Sequence, residues 1–506
     1  MTRFWLMLAA LIPAFAGGTD TFVRPLAPIV ALTHARVIDG TGAPGRDQQT
    51  VVIEGGRITA VGDAARVKIP AGASTLDLAG RTLMPGLVGM HDHLFYQLQP
   101  PGTLLAVPAQ RTFARLYLAN GVTTIRTAGA TDFDADARIK QRIDAGQEPG
   151  PKIHLTGTYL QATSTVPDPD GIAKQVAYDA ARGATSFKAY TTLREPELKA
   201  AIAAAHERGL RITGHLCAVG FRQAAALGID NLEHGIAVDS EFDPAKRDDE
   251  CPDQWSAFRA LLRMDPGDAE IRRTIGELVR HGVAVTSTLA VFESYAMDGS
   301  EADRRVPVLL ASRLQDVFQA AREQRTDRNT QSWWSSVLRQ EMAFERTFAK
   351  AGGKLLAGAD PTGWGAIVAG YGNQRGIELL VAAGFTPEQA IEIATSNGAG
   401  FLNERGIGQL VEGRQADIVV VRGNPSREIA DIRQVELVFK DGVAYEPERL
   451  LATTPGTLGE RRLESTMTWP IVVVLGLLVA RRVTRRHGRR VKGEAPLVTP
   501  GVSAIV

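Results

Sequence analysis

The chain has 506 residues, of which 44% are hydrophobic and 22% charged, with 51 Gly and 26 Pro. That is ample apolar material for a large core, and no Gly-X-Y period is present, so a disordered or collagen-like chain is excluded. The formal charge is +1, but seven Arg or Lys and no acid fall between Arg481 and Lys492, which leaves −6 for the rest of the chain; nucleic-acid binding by the main body is therefore not expected.

Met1-Thr2-Arg3, the apolar run Phe4 to Ala16 and the small-x-small ending Ala14-Phe15-Ala16 predict a secretory signal over residues 1–17, cleaved near Gly17. The alternative is a buried N-terminal helix. From Ala31 to Leu83 come short β segments punctuated by Gly and Asp-Gly: Ala35 to Gly40, Gln49 to Gly56 and Ile58 to Gly62. The style returns at Ala416 to Val421 and Val435 to Gly442. The two patches, 27–84 and 405–450, are expected to pair into one β-sandwich.

Residues 85–404 are different in kind. Short apolar runs (Val122 to Ile125, Ile153 to Leu155, Ser186 to Tyr190, Arg211 to His215, Val283 to Thr286, Lys354 to Ala357) alternate with Ala-rich helical text such as Pro196 to Arg208 and Asp268 to His281, the latter with Asp268 as N-cap. Repeated β then α at this length predicts an α/β fold, a (β/α)8 TIM barrel, with a doubly wound open sheet as the alternative. Residues 238–346 carry more polar and helical text than one βα unit needs, so an insertion over one barrel mouth is expected there.

At the far end, Ser465 to Ala480 is free of charge and contains Trp469. As a helix it would be about 24 Å long, short of the ~30 Å hydrocarbon core. The arginines that follow can snorkel and would lie on the cytoplasmic side. Residues 465–483 are read as a membrane segment and 484–506 as a basic cytoplasmic tail, with a peripheral anchor or a processed sorting tail as alternatives. The protein is then expected to be exported, on the periplasmic or extracellular face of the membrane.

The ionisable residues in the central region fall at strand ends. His91-Asp92-His93 closes an apolar run, and His-x-His on an extended strand points both imidazoles the same way, as two ligands of one metal require. Lys188 is the only charge in its strand, His215 and His234 each end an apolar stretch, and Asp360 follows Leu355 to Ala359. Any one of these alone reads as a satisfied structural residue. Together, at successive C-terminal strand ends, they sit where a barrel carries its chemistry. His154 and Arg126 also lie near strand ends and are candidates for substrate binding; Arg126 could meet a substrate carboxylate or form a structural ion pair.

Over Ala31 to Tyr445 the chain resembles the metal-dependent amidohydrolase superfamily, in its imidazolonepropionase-like and dipeptidase-like branch. The resemblance is carried by Met84 to His93, Gly121 to Arg126, Phe187-Lys188-Ala189-Tyr190, Gly214-His215, Leu232-Glu233-His234-Gly235, Ala357 to Asp360, Ala394 to Asn397 and Gly413 to Val419. It implies a (β/α)8 barrel, a β-sandwich built from both chain ends, and two divalent metals, usually zinc. His91, His93 and Asp360 would hold one metal and His215 and His234 the other. Lys188, N-carboxylated by CO2, would bridge them, because an ammonium cannot sit beside two dications whereas its carbamate is an anion with two oxygens. A bridging hydroxide would attack the carbonyl, Asp360 would carry the proton, and Tyr190 would assist as a catalytic or substrate-binding residue.

No Gly-Gly-His-Gly segment follows Gly157, and Thr127 stands where the dipeptidase pattern has an acid. Hydrolysis of amide or peptide bonds, in dipeptides or N-acyl amino acids, is the leading expectation. A cyclic amide or lactam hydrolase and a non-catalytic, anchored metal-binding scaffold are the alternatives. The only cysteines, Cys217 and Cys251, are expected to pair if the domain matures in an oxidising compartment; the alternative is two free thiols.

Overall fold

The computed structural model describes residues 19–98, 105–296, 301–323, 328–362 and 366–460. The expected signal (1–17), membrane segment (465–483) and basic tail (484–506) lie outside the described residues. Among the described residues, no helix is long and apolar enough to cross a membrane.

The N-terminal β text forms β1 (Ile29–Val37), β2 (Arg46–Glu54), β3 (Arg57–Asp63), β4 (Ser74–Asp77) and β5 (Arg81–Pro85). The apolar run that begins at Leu83 does not continue as one strand. At Gly86 it leaves this sheet and restarts as β6 (Leu87–Asp92), and Gly86 passes so close to Thr123 that any Cβ there would overlap the threonine side chain. The hairpin β7 (Phe95–Leu98) and β8 (Leu105–Pro108) follows, a pair with no signal in the sequence reading.

Next come β9 (Val122–Thr127), β10 (Lys152–His154), β11 (Ser186–Ala189), β12 (Arg211–Gly214), β13 (Asn231–Glu233), β14 (Ala284–Ser287) and β15 (Leu355–Ala357). The order β10-β9-β6 makes a three-stranded parallel sheet, and β11-β12-β13-β14-β15 a five-stranded one. Their facing edges meet where Gly157 N donates to Ser186 O (3.0 Å) and Asp360 N to His91 O (2.7 Å). Helices connect these strands. The one at Ala269–His281 shows why: Ile271, Thr274, Ile275 and Leu278 recur on one face and are buried, Asp268 caps its start, and Gly282 at φ 69° ends it. This is a TIM-barrel-like α/β fold. Its strands read as near-continuous apolar runs because both faces are covered.

The C-terminal strands β16 (Ile418–Arg422), β17 (Val435–Lys440) and β18 (Val443–Tyr445) return to the first sheet. β16 pairs antiparallel with β5, so both chain ends share one eight-stranded sheet. It has its own core, including Leu32, Val51, Leu83, Ile418 and Phe439.

One expectation is corrected. Residues 238–346 are not a single insertion, since the helix Ala269–His281 and β14 within them supply the seventh strand of the parallel series. The surplus falls on either side of that unit, in the helix Gln254–Leu261 before it and in the helices from Leu289–Ala296 to Arg328–Lys350 after it. Of these, Gln254–Leu261, Leu289–Ala296 and Arg328–Lys350 share an aromatic core of Phe258, Phe292 and Trp334. The sequence listed helix and strand correctly here but merged their surroundings, because polar helices of either kind look alike in composition.

Candidate metal centre

His91, at the end of β6, and His93, just past it, share a face, while Asp92 between them points the other way. Asp92 is fully buried, and its carboxylate accepts from Asn373 Nδ2 (3.1 Å); burial pushes its pKa up to about 7. The Tyr117 hydroxyl holds His93 beyond the strand end, accepting from His93 N (3.2 Å) and donating to His93 O (3.0 Å).

Opposite stands Asp360. Its Oδ1 lies 3.2 Å from His93 Nε2 and 3.7 Å from His91 Nε2, and its Oδ2 lies 3.8 Å from His234 Nδ1. Gly358 lets β15 press against the His91 backbone, where a side chain would overlap it. His234 and Asp360 both adopt left-handed backbone (φ 66° and 43°), which costs energy for residues other than glycine and concentrates at functional sites. His234 Nδ1 is 2.9 Å from Thr288 Oγ1. The His215 ring stands 4.5 Å from His234 and 5.1 Å from Tyr190, centroid to centroid. Lys188 Nζ lies 3.1 Å from His91 Nε2 and faces the Tyr159 ring at 6.0 Å. All six expected ligands thus belong to one connected cluster, to which Tyr190 is adjacent.

The donor set suits a divalent cation. Ligand atoms of His91, His234 and Asp360, all three residues buried, lie within 4.8 Å of one another. Burial, then the neighbouring Lys188, lowers the pKa of His91 to about 4 and of His215 to about 3; burial also lowers His93 and His234. The imidazoles are therefore neutral near pH 7, the form that binds metal. Burial pushes the Asp360 carboxyl up, but the rings of His91, His93 and His234 outweigh this and hold it well below the usual carboxylate range. Burial brings the Lys188 amine down to about 8.

Two expected substrate residues are placed elsewhere. Arg126 is fully buried and donates to Glu233 Oε1 (2.7 Å), Thr213 Oγ1 (3.2 Å) and the Met90 carbonyl, so it is committed to the protein interior and is not open to a substrate carboxylate. His154 Nε2 lies 3.3 Å from Glu404 Oε1, and Lys152 Nζ approaches the same carboxylate at 3.6 Å, so the ring faces Glu404 and not the His91 cluster. Cys217 and Cys251 are joined by a disulfide with a Cα–Cα distance of 4.9 Å. Ser240 Oγ donates to Cys217 O (2.6 Å) and Lys246 Nζ to Ala218 O (2.7 Å), so the segment after His234 is stitched onto the segment after His215.

Sequence reasoning missed Glu233, whose Oε2 lies 2.8 Å from His91 Nδ1, and Tyr159, whose ring packs edge-on against Tyr190 at 5.1 Å. Neither carried a local signal: the strand that bears Glu233 is only Asn231-Leu232-Glu233, polar at both ends.

The profile of the Amidohydrolase family matches residues 82–444. The chain belongs to the amidohydrolase family, a family of hydrolytic enzymes acting on carbon–nitrogen bonds. Among curated relatives it is 36% identical over 107 residues to the imidazolonepropionase of Nocardia farcinica, covering 21% of this chain and 26% of that one. It is 31% identical over 102 residues to that of Streptomyces avermitilis, covering 20% and 23%. The chain thus aligns with about a quarter of the length of the curated relatives it matches. Among solved structures, a putative prolidase from Bifidobacterium longum superposes with TM-score 0.59 at 24% identity, over 87% of this chain and 97% of that one. A Xaa-Pro dipeptidase with bound methionine gives 0.63 at 20% identity, over 83% and 100%. These likenesses concern the fold. Family membership and the buried His91, His234 and Asp360 together support metal binding.

Proposed function

We propose that this amidohydrolase is a two-metal enzyme that hydrolyses amide or peptide bonds in dipeptides or N-acyl amino acids. The observation that carries the reading is the connected cluster of His91, His93, Lys188, His215, His234 and Asp360 at the ends of parallel strands, buried except for the half-buried His215. His91, His93 and Asp360 would hold one cation, His215 and His234 the other, and zinc suits this mixed nitrogen and oxygen set. Bound there, the pair would acidify a water and polarise the scissile carbonyl.

The chain's own residues have defined tasks in this scheme. An ammonium at Lys188, 3.1 Å from His91 Nε2, competes with a cation for the same lone pair. Addition of CO2 to the neutral amine, with loss of one proton, turns that competitor into an anionic bridge. Asp360 faces both His93 and His234, so its carboxylate can take a proton from the attacking water and return it to the leaving nitrogen. Tyr190, packed against His215, would donate toward the carbonyl oxygen as charge develops.

The same reading has the two parallel sheets closing as one (β/α)8 barrel over 85–404, with the terminal sheet of 27–84 and 405–450 packing as a β-sandwich beside it. The edge bonds at Ser186 and His91 and the separate terminal core support it. It also keeps export, through the leader over 1–17, and anchorage through 465–483. The Cys217–Cys251 disulfide agrees with an oxidising compartment.

A turnover screen of zinc-loaded protein against dipeptide and N-acyl amino acid libraries tests the proposal; release of a free amine from members of either set is expected. A second reading, hydrolysis of a cyclic amide, is favoured by the local 36% identity to an imidazolonepropionase. Ring opening of lactams with no turnover of linear amides would decide for it.

A further inference from the structure

Arg126 is the bulkiest fully buried side chain among the described residues, and its guanidinium reaches three strands besides its own. It donates to the Met90 carbonyl in β6, to Thr213 Oγ1 in β12 (3.2 Å) and to Glu233 Oε1 in β13 (2.7 Å). Each acceptor is adjacent to a proposed ligand or two residues before it: Met90 precedes His91, Glu233 precedes His234, and Thr213 stands two before His215. The second oxygen of Glu233 lies 2.8 Å from His91 Nδ1. A carboxylate only accepts, so Nδ1 carries the hydrogen and the Nε2 lone pair is the free one. That atom points into the cluster, 3.1 Å from Lys188 Nζ and 3.7 Å from Asp360 Oδ1.

We infer that Arg126 and Glu233 are positioning residues for the metal centre: Glu233 fixes the tautomer and ring orientation of His91, and Arg126 holds Glu233 and the backbone beside three ligands in register. The inference rests on the two-metal reading above. A purely structural role explains the pair less well. Two charges buried with no exposure are costly to desolvate, and replacing such a pair by apolar residues of similar size is often neutral or stabilising. Outer partners of metal-binding histidines, by contrast, are typically worth 10- to 100-fold in metal affinity.

The test measures zinc affinity by competition with a chromogenic chelator, and the visible spectrum of the cobalt-substituted protein, on the full chain. The double variant Arg126→Met/Glu233→Met leaves neither charge unpaired. It is expected to fold, to bind zinc about 10- to 100-fold more weakly, and to show an altered cobalt spectrum. Wild-type affinity and an unchanged spectrum in this variant would overturn the inference. Should the double variant fail to fold, Glu233→Gln carries the same test with the same expected loss, and wild-type affinity there overturns it. A wild-type chain that binds no zinc would overturn the two-metal reading and this inference together; zinc binding that the variants leave untouched overturns the inference alone.

Discussion

The backbone N–H of Asp360 donates to the carbonyl of His91 at 2.7 Å, so the third residue after the last strand of the parallel series is tied to the end of the first. The bond brings together the two ends of the proposed ligand set. It also explains why Asp360 tolerates left-handed backbone: the turn must fold back to place its carboxylate 3.2 Å from His93.

Replacing Asp360 by Asn keeps the shape of the side chain and removes its ability to carry a proton. The fold should persist, and kcat should fall by roughly 10²- to 10⁴-fold, measured on whichever substrate the library screen yields. A kcat within a factor of two of wild type, with full metal content, would place the proton shuttle elsewhere.

Lys188→Ala removes the one side chain proposed to touch both cations. Bound metal should drop from about two per chain toward one or none, read by elemental analysis after dialysis. Two tightly held metals in the variant would return Lys188 to a structural role.

The Cys217–Cys251 bridge closes a loop with a sequence separation of 34 residues. Cys217→Ser/Cys251→Ser should lose about 3–4 kcal/mol of stability on the chain-entropy model, measured by denaturant unfolding. Non-reduced protein should show no alkylatable thiol under denaturing conditions. Two alkylated thiols there would refute the bridge.

Glu341 and Glu345, one turn apart on the helix Arg328–Lys350, are both fully buried. Burial pushes the Glu345 carboxyl up to about 8, and burial with its neighbour raises Glu341. A carboxyl with a raised folded-state pKa binds more protons folded than unfolded. Its contribution is therefore fully present below the unfolded value near 4.5 and is lost as pH rises through about 8. Glu345→Gln should gain stability relative to wild type at pH 8 compared with pH 5, by at least about 1 kcal/mol. Equal differences at the two pH values would show that the pair titrates normally.

Much of this architecture was legible in the sequence because barrel strands leave a strong mark. Val122 to Ile125 and Ser186 to Ala189 are short, apolar and bounded by helical text, and the reactive residues stand at their ends. Asn231–Glu233 escaped notice because three residues with a polar member at each end carry no period. Glu233 and Arg126 show a different limit. Each reads as an isolated charge, and their meaning lies in contacts 107 residues apart in sequence, between β9 and β13, that no local pattern encodes. The same holds for Tyr159, which becomes part of the site only when the segment after β10 bridges to β11, at Thr156–Ser186 and Leu160–Ala189.

Crystals of the full chain grown with zinc and measured at the zinc absorption edge should give two anomalous peaks about 3.5–4 Å apart, one among His91, His93 and Asp360 and the other beside His215 and His234, with Lys188 between them. A single peak, or none in this cluster from protein that had been given excess zinc and CO2, would contradict the two-metal centre.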